Sequence, residues 1–199
     1  GGGEALILPF RRRGETVRRK YRFLRSQEGR PNWTADKGGE RIAFNEDCLR
    51  DDGLINQPVI ITEGEWDCLA ALQAGFARTI SVPDGAPPPG ERDKADLQAS
   101  AKYAWLDGIR ELLSKDRVPE GFILATDGDE NGAALMQDLA VLLGRARCKF
   151  VTYPKARPDR GRERCKDLNE VLEDYGQSGI VQTIHRADWL AVGGGGCMS

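Results

Sequence analysis

Two short apolar runs in this chain each end in acidic residues, and this arrangement constrains the fold more than any other feature. Residues 58–62 read Pro-Val-Ile-Ile-Thr and lead directly into Glu63, and residues 122–126 read Phe-Ile-Leu-Ala-Thr and lead into Asp127 and Asp129. Uninterrupted apolar runs of this length are typical of parallel strands buried on both faces. Because the carboxyl ends of parallel strands open on one edge of a sheet, we expect these acids to lie close together.

The segments around the two runs alternate between strand and helix patterns. Further strands are predicted at 5–10, 16–25, 41–44, 79–82 and 148–152, and loops at 29–39, 84–90 and 155–166. Helices are predicted at 65–74, at 95–115 with a break near 107–108, and at 131–143, and another helix starts over 167–175. Such alternation predicts an α/β fold in which helices pack on a parallel sheet. The domains predicted are a small basic β-rich subdomain at 1–55, a larger α/β domain at 56–190 and a flexible Gly-rich tail at 191–199.

Charge is distributed unevenly along the chain. Residues 1–44 carry 11 Lys and Arg against 5 Asp and Glu, whereas the remainder carries 18 against 26. Lys20 and Arg22 lie in the alternating segment 16–25, which predicts a strand with a cationic face. A basic segment beside an acidic domain favours a partner that carries phosphates. A solvated charged surface explains the same pattern and stays open as an alternative.

Any metal site in this chain has to be built from carboxylates. His185 is the only histidine, and no two of the five cysteines lie within four residues of each other, so a zinc ribbon or finger is excluded. We expect Cys68 and Cys148 in the core. Carboxylate oxygens favour a hard cation such as Mg²⁺ or Mn²⁺. Asp67, one helical turn after Glu63, and Asp167, beyond the fourth strand of the α/β domain, extend the acidic set.

Each acidic motif also has a purely structural interpretation. Asp127-Gly128-Asp129 is commonly a turn, an acid after a strand can cap a helix, and Asp67 can be an ordinary first-turn helix acid. The segment 127–132 is similar to a calcium-binding loop, but position 138 is Asp where an EF-hand has a bidentate Glu. The occurrence of the strand-plus-acid pattern at two places favours a metal site over these interpretations.

The two acidic motifs together resemble those of the Toprim family of primases, topoisomerases, recombination proteins and nucleases. The first family motif is an apolar strand that ends in Glu-Gly with an Asp three residues later, as at Glu63-Gly64 and Asp67. The second is an apolar strand that ends in Asp-x-Asp with a nearby glycine, as at 127–132. The segments 166–170, 81–86 and 44–47 and the basic strand also look like parts of phage and mitochondrial-type primase–helicases and of DnaG-type primases.

The resemblance implies a Rossmann-like Toprim sheet and assigns roles to particular residues. Glu63, Asp127 and Asp129 would be catalytic and bind Mg²⁺ or Mn²⁺, with Asp67 and Asp167 extending the cluster toward a second ion. The residues implied in binding nucleic acid or nucleotide are Lys20, Arg22, Lys37, Asn45 and Lys166.

The function that the resemblance implies is that of a DNA primase core, which makes short RNA primers on single-stranded DNA from ribonucleoside triphosphates. Alternatives are a non-catalytic nucleic-acid-binding Toprim module and a Toprim nuclease. Such primases use a zinc-binding module and a replicative helicase; neither zinc ligands nor a Walker-type motif is present here. The chain has no signal-peptide pattern and no apolar run long enough for a membrane span, so we expect a cytoplasmic protein of a bacterial or phage-infected cell.

Overall fold

Two β-sheets organise the chain, which the computed structural model describes for residues 4–25, 32–86, 97 and 99–190. The first sheet is antiparallel, and its order is β1 (Ala5–Arg12), β2 (Glu15–Phe23) and β3 (Trp33–Ala35). Arg13 and Gly14 form the tight turn between β1 and β2, both with positive φ. The predicted cationic strand is β2, which occupies the centre of this sheet.

The second sheet contains five strands in the order β5-β4-β6-β7-β8. Its strands are β4 (Val59–Thr62), β5 (Thr79–Ser81), β6 (Phe122–Ala125), β7 (Cys148–Phe150) and β8 (Asp188–Trp189), and the helices are α1 (Glu65–Gln73), α2 (Glu130–Leu143) and α3 (Leu168–His185). The first four strands are parallel, and β8 is antiparallel to β7. The predicted α/β fold with a mostly parallel sheet, helices around it and an N-terminal β-sheet is confirmed.

Both faces of the parallel sheet are covered, which explains the uninterrupted apolar runs in its strands. On one face, Ile61 of β4 and Leu124 of β6 share a cluster with Leu135 of α2. On the other face, Ile60 and Ile123 share a cluster with side chains of α1 and α3. Alternate residues of each strand therefore enter opposite layers.

The N-terminal sheet packs against the parallel-sheet domain through a third apolar cluster. Leu8 and Phe10 of β1 contact Ile42 and Phe44, and the cluster includes Cys68 of α1. Apolar contacts therefore cross the boundary predicted near residue 55. That boundary stays a prediction, and the predicted tail at 191–199 lies outside the described residues.

The segment before residue 55 differs locally from its prediction. Residues 41–44 are not a strand: only Phe44 pairs with the parallel-sheet domain, through a single bridge to Ser81. Ile42 and Phe44 instead belong to the cluster under β1, and Ala43 belongs to the core that includes α2, so their burial does not require a ladder. Within the predicted loop 29–39, Trp33–Ala35 forms the edge strand β3, because pairing with β2 satisfies its backbone.

The helix predicted at 95–115 is wrong in type for the described part of that range. Residues 104–109 and 111–113 form two short 3₁₀-helices, and residues 95, 96 and 98 lie outside the described set. Trp105, Leu106, Ile109 and Leu113 are buried, so the apolar spacing identified core residues. That spacing does not distinguish consecutive 3₁₀ turns from an α-helix, and Gly108 weakens the latter.

The last helix starts where it was predicted, at Leu168. Gly176, with φ of 66° and ψ of −167°, interrupts it with a kink, and helical residues then continue to His185. Within the described part of the chain, no helix has the length and apolarity needed to cross a bilayer. Cys68 and Cys148 are buried as expected, and both are free thiols.

Candidate metal centre and nucleic-acid interface

Glu63 and Asp127 lie side by side at the carboxyl ends of β4 and β6. The two strands pair with Thr62 opposite Ala125, so the turns that follow them are neighbours. Glu63 Oε2 accepts a hydrogen bond from the backbone N–H of Asp127 at 3.4 Å, and Oε1 accepts one from the N–H of Ala86 at 3.1 Å. The adjacency expected from the two strand ends is therefore present.

Asp67 and Asp167 join this edge from helices α1 and α3. Asp67 is only 6% exposed, and its Oδ1 accepts the backbone N–H of Asn169 at 3.0 Å. Asp167 is the N-cap of α3, where its Oδ1 accepts the N–H of Glu170 at 2.7 Å. Because the Asn169 bond holds the start of α3 against α1, acids 100 positions apart share one site.

The turn after β6 is held tightly around Asp129. Asp129 is the N-cap of α2, and its Oδ1 accepts the N–H of Gly132 at 2.9 Å. A Cβ atom on Gly132 would overlap the carbonyl oxygen of Asp127 and lie 2.7 Å from its carbonyl carbon. Gly128 donates its N–H to the carbonyl of Lys166 at 2.6 Å. The capping interpretation of Asp129 is therefore correct for one of its oxygens, which leaves the other for further contacts.

Negative charge is crowded at this edge. Burial, followed by the charge of Asp167, raises the pKa of Asp67 to about 7. Burial, followed by the charge of Glu63, raises the pKa of Asp127 to about 7, and Asp67 contributes to the same shift. Four of the five predicted acids thus interact electrostatically. Such a cluster favours any cation that can approach it.

Lys166 supplies one positive charge to this cluster. Its Nζ lies 3.5 Å from Asp167 Oδ2 and 3.8 Å from Asp127 Oδ2, with about half of the side chain exposed. Burial lowers the pKa of Lys166, but the charges of Asp167 and Asp127 outweigh it, and the net shift is upward. The lysine therefore connects the turn after β6 with the start of α3.

The donor chemistry of this edge fits a hard divalent cation. Within the described ranges, no three acidic, histidine or cysteine side chains stand ready as a metal-ligand set. Glu63 uses both oxygens and Asp129 one on backbone N–H groups. All five donors are nevertheless carboxylates, the ligands that Mg²⁺ and Mn²⁺ prefer. The raised pKa values of Asp67 and Asp127 reflect burial first and then repulsion by neighbouring acids, which a cation relieves.

Lys20 and Arg22 lie on the face of the N-terminal sheet that is turned toward α1. Lys20 is 9% exposed, and its Nζ lies 2.8 Å from Glu65 Oε1 and 4.5 Å from the ring centroid of Trp33. Arg22 lines a small cavity beside them. Since Glu65 follows Glu63 by two residues, the basic strand adjoins the acidic edge. The charge of Lys20, however, is matched by a buried carboxylate.

Lys37 and Asn45 are placed differently from each other. Lys37 is exposed in the turn after β3. Asn45 has a left-handed backbone with φ of 59°, and its Nδ2 donates to the carbonyl of Thr79 at 2.8 Å. The Asn45 amide thus joins two backbone segments. Nucleic-acid contact by either residue stays a prediction.

Three residues at the site were missed by sequence reasoning. Asp84 is bound by Arg18 at 2.9 Å and Arg41 at 3.1 Å, which joins the loop after β5 to the N-terminal segment. Glu65 and Trp33 surround Lys20, as described above. The sequence signals available were an Asp-Gly turn at 84–85 and an aromatic residue in a polar segment, and neither identifies a partner.

Comparison with known proteins relates the sequence of this chain to a known domain family. Residues 57–152 match the Toprim domain family. A primase homolog protein from Arabidopsis thaliana is 34% identical over 186 residues, which cover 92% of this chain and 50% of that protein. A Twinkle homolog protein from the same plant, named as chloroplastic/mitochondrial, is 33% identical over 189 residues, which cover 94% of this chain and 24% of that protein. The chain therefore spans half or less of the length of these relatives.

Solved primase structures share the fold. The RNA polymerase domain of Mycobacterium tuberculosis primase DnaG superposes with a TM-score of 0.65 at 18% identity, covering 93% of this chain and 56% of that one. The primase fragment of the bacteriophage T7 primase-helicase protein superposes with a TM-score of 0.60 at 20% identity, covering 89% of this chain and 61% of that one. Both similarities cover more of the chain than residues 57–152. Residues 57–152 therefore match a Toprim domain, in a chain whose wider fold is shared with these primase structures.

Proposed function

We propose that this chain is the catalytic core of a DNA primase, which joins ribonucleotides into short RNA primers on single-stranded DNA. The observation that carries the proposal is the convergence of Glu63, Asp67, Asp127 and Asp167 on one sheet edge, directly beside a basic antiparallel sheet. A phosphoryl-transfer site needs these two parts: one that concentrates cations and one that holds the polyanionic strand.

Two solved structures with a similar fold support this proposal, because their primase domains are bound to nucleic acid. One solved structure is a DnaG primase catalytic domain bound to single-stranded DNA, with a TM-score of 0.61. Another contains T7 primase domains bound to an RNA/DNA hybrid, with a TM-score of 0.62. At sequence identities of 16% and 20%, these similarities show a shared fold and nothing about activity. The activity of this chain is our inference from its own site.

The ions proposed are Mg²⁺ or Mn²⁺, held by Glu63, Asp127 and Asp129, with Asp67 and Asp167 on the side of a second ion. When bound, such ions neutralise the phosphates and stabilise the attacking and leaving oxygens. The protein contributes the positions of the carboxylates, because each is anchored by a strand end or a helix start. Lys166, half-exposed beside Asp127 and Asp167, would contact a phosphate at this edge.

The proposal also includes two protein partners, a zinc-binding module and a helicase. Because this chain matches only half or less of its plant relatives, a zinc-binding module and a helicase would lie elsewhere in a longer protein or on separate chains. A cytoplasmic location in a bacterial or phage-infected cell is still a proposal.

Primer synthesis by site variants tests the function directly. The protein is incubated with single-stranded DNA, four ribonucleotides and Mg²⁺ or Mn²⁺, and both RNA synthesis and DNA cleavage are measured. We expect Glu63→Gln and Asp127→Asn to lower synthesis by roughly 100-fold or more, since each removes charge that organises the reaction centre. Asp52→Asn is the matched control, because Asp52 is 82% exposed and pairs with Arg117 away from this edge.

The same experiment separates the alternatives. Wild-type synthesis that persists unchanged in both folded site variants contradicts the proposal. Metal-dependent cleavage without synthesis identifies a nuclease. Salt-sensitive binding of single-stranded DNA with neither reaction identifies a non-catalytic module.

A further inference from the structure

One face of the N-terminal sheet carries aromatic and cationic side chains toward the reaction edge. In the β-sheet register, Arg22 lies opposite Trp33 and Lys20 opposite Leu8, and alternate residues of β2 share a face. These four side chains meet the start of α1. The cavity between them, which we name the tryptophan cavity, measures about 120 Å³ and is lined by Leu8, Lys20, Arg22, Trp33, Glu65 and Trp66.

Of the two cationic side chains at this cavity, Lys20 is paired with a carboxylate and Arg22, within the described ranges, is not. Lys20 is held by Glu65 at 2.8 Å, with its ammonium 4.5 Å from the ring centroid of Trp33. Arg22 has no ion-pair partner among the residues that the structure describes. Trp33 is 41% exposed although it belongs to a sheet, so a large apolar surface is open to solvent. The Lys20 ammonium, paired with Glu65, therefore lies over part of the indole ring, and the rest of the ring stays open to solvent.

An exposed indole ring beside an unpaired guanidinium suits a ligand that has both an aromatic ring and a negative charge. Nucleobases stack on aromatic rings regardless of their identity, and arginine holds the adjoining phosphate. A buried apolar peptide would need no cation here, and a bare phosphate would need no indole. The position also agrees with a nucleic-acid ligand, since Glu65 lies two residues beyond Glu63 at the acidic edge.

We propose that the tryptophan cavity stacks an unpaired base of the single-stranded DNA template on Trp33, with Arg22 at the neighbouring phosphate. This inference rests on the proposed primase function, which it deepens by locating the template strand. The cavity holds template by base stacking and gives no sequence choice, because every base offers the same π-face.

Binding of base-containing and abasic DNA tests the proposal. Labelled oligothymidylate and an abasic strand of equal length are titrated with the full chain, and fluorescence anisotropy is read. We expect the wild type to prefer oligothymidylate. Trp33→Ala should weaken binding of oligothymidylate roughly 5- to 100-fold and leave abasic binding unchanged, since one stacked base is lost. Trp33→Phe should keep most of the preference.

Trp189 provides a matched control. It is 57% exposed and has a lysine ammonium, that of Lys149, 4.8 Å from its ring centroid, but it lies on β8 at the far edge of the parallel sheet. Trp189→Ala should leave both titrations unchanged. A wild type that binds abasic and base-containing strands equally overturns the proposal, whatever the variants do. Equal weakening of both strands by Trp33→Ala also overturns it.

The outcome is independent of primer synthesis. A wild type that makes no RNA but shows a base preference that Trp33→Ala removes refutes the proposed function and keeps the stacking site. A wild type that makes RNA without a base preference keeps the function and refutes the stacking site.

Discussion

Asp67 and Asp127 show at the residue scale how the site is prepared for a cation. Both carboxyl groups have pKa values of about 7, raised first by burial and then by neighbouring acids. In an unfolded chain an Asp has a pKa of about 3.9. The folded protein therefore binds protons that the unfolded chain has released, and the two groups titrate as a coupled pair.

This coupling predicts a stability that falls with rising pH. Because the folded pKa values exceed the unfolded ones, the contribution of the pair is fully present below about pH 4 and is lost as pH rises through about 7. We expect the melting temperature in chelator to fall by at least roughly 2–4 °C between pH 6 and pH 8, the equivalent of about 1 kcal/mol for a chain of this size. Added Mg²⁺ or Mn²⁺ should restore it at pH 8.

Asp67→Asn provides the comparison for this measurement. The amide keeps the size of the side chain and removes the charge, so the fall between pH 6 and pH 8 should become smaller. A wild type whose melting temperature is the same at both pH values, and is not raised by either ion, would count against the electrostatic argument.

At the scale of single elements, the turn between β6 and α2 depends on close backbone packing. Gly132 is the third residue of α2, and its N–H is held by the Asp129 carboxylate. No side chain fits at this position, since a Cβ would overlap the carbonyl oxygen of Asp127. The helix start and the two acids are therefore positioned together.

Gly132→Ala should disturb both the turn and the metal site. We expect a loss of about 1–3 kcal/mol in the free energy of unfolding, measured with urea, because the inserted methyl group has to displace backbone. Calorimetry with Mn²⁺ should show weaker binding. Ala133→Gly is the control: the residue is exposed in the same helix, and the change costs about 1 kcal/mol of helix propensity without entering the turn. Wild-type affinity for Mn²⁺ in Gly132→Ala would refute the positioning argument.

At the scale of the whole molecule, Asp84 connects the two sheets. It accepts a hydrogen bond from Arg18 of β2 at 2.9 Å and forms an ion pair with Arg41 at 3.1 Å, and its side chain is 24% exposed. Burial raises the pKa of Asp84, but the hydrogen bond and charge of Arg18 and the charge of Arg41 outweigh it, so the net shift is downward. The ionised form of Asp84 therefore stabilises the contact between the N-terminal sheet and the loop after β5.

Asp84→Asn should weaken this connection in a pH-dependent way. We expect a loss of about 1–2 kcal/mol at pH 7, with the backbone kept, since Asn also tolerates the left-handed conformation seen here. Because the folded pKa is lowered, this contribution is present above the unfolded pKa of ~3.9 and is lost as pH falls through the folded value. The difference between wild type and variant in urea unfolding should therefore shrink below pH 4.

Asp107→Asn controls for charge removal alone. Asp107 pairs with Arg110 at 2.6 Å, but both side chains are more than half exposed, so the change should stay within about 0.5 kcal/mol. A cost for Asp84→Asn that is no larger than this, or that does not change with pH, would show that the connection contributes nothing to stability.

The sequence alone determined the parallel sheet and the shared edge of Glu63 and Asp127, because uninterrupted apolar strands have to be covered on both faces and their carboxyl ends have to meet. It could not determine how each charge is used. Lys20 belongs to a cationic strand by pattern, but only the packing of β2 on α1 shows that Glu65 matches its charge. Asp129 and Asp167 are helix caps as well as site acids, and Asp84 joins two sheets. Local patterns indicate the buried strands of the parallel sheet and the acids that follow them, whereas the partner of a charged side chain depends on contacts between segments distant in sequence, which only the tertiary structure decides.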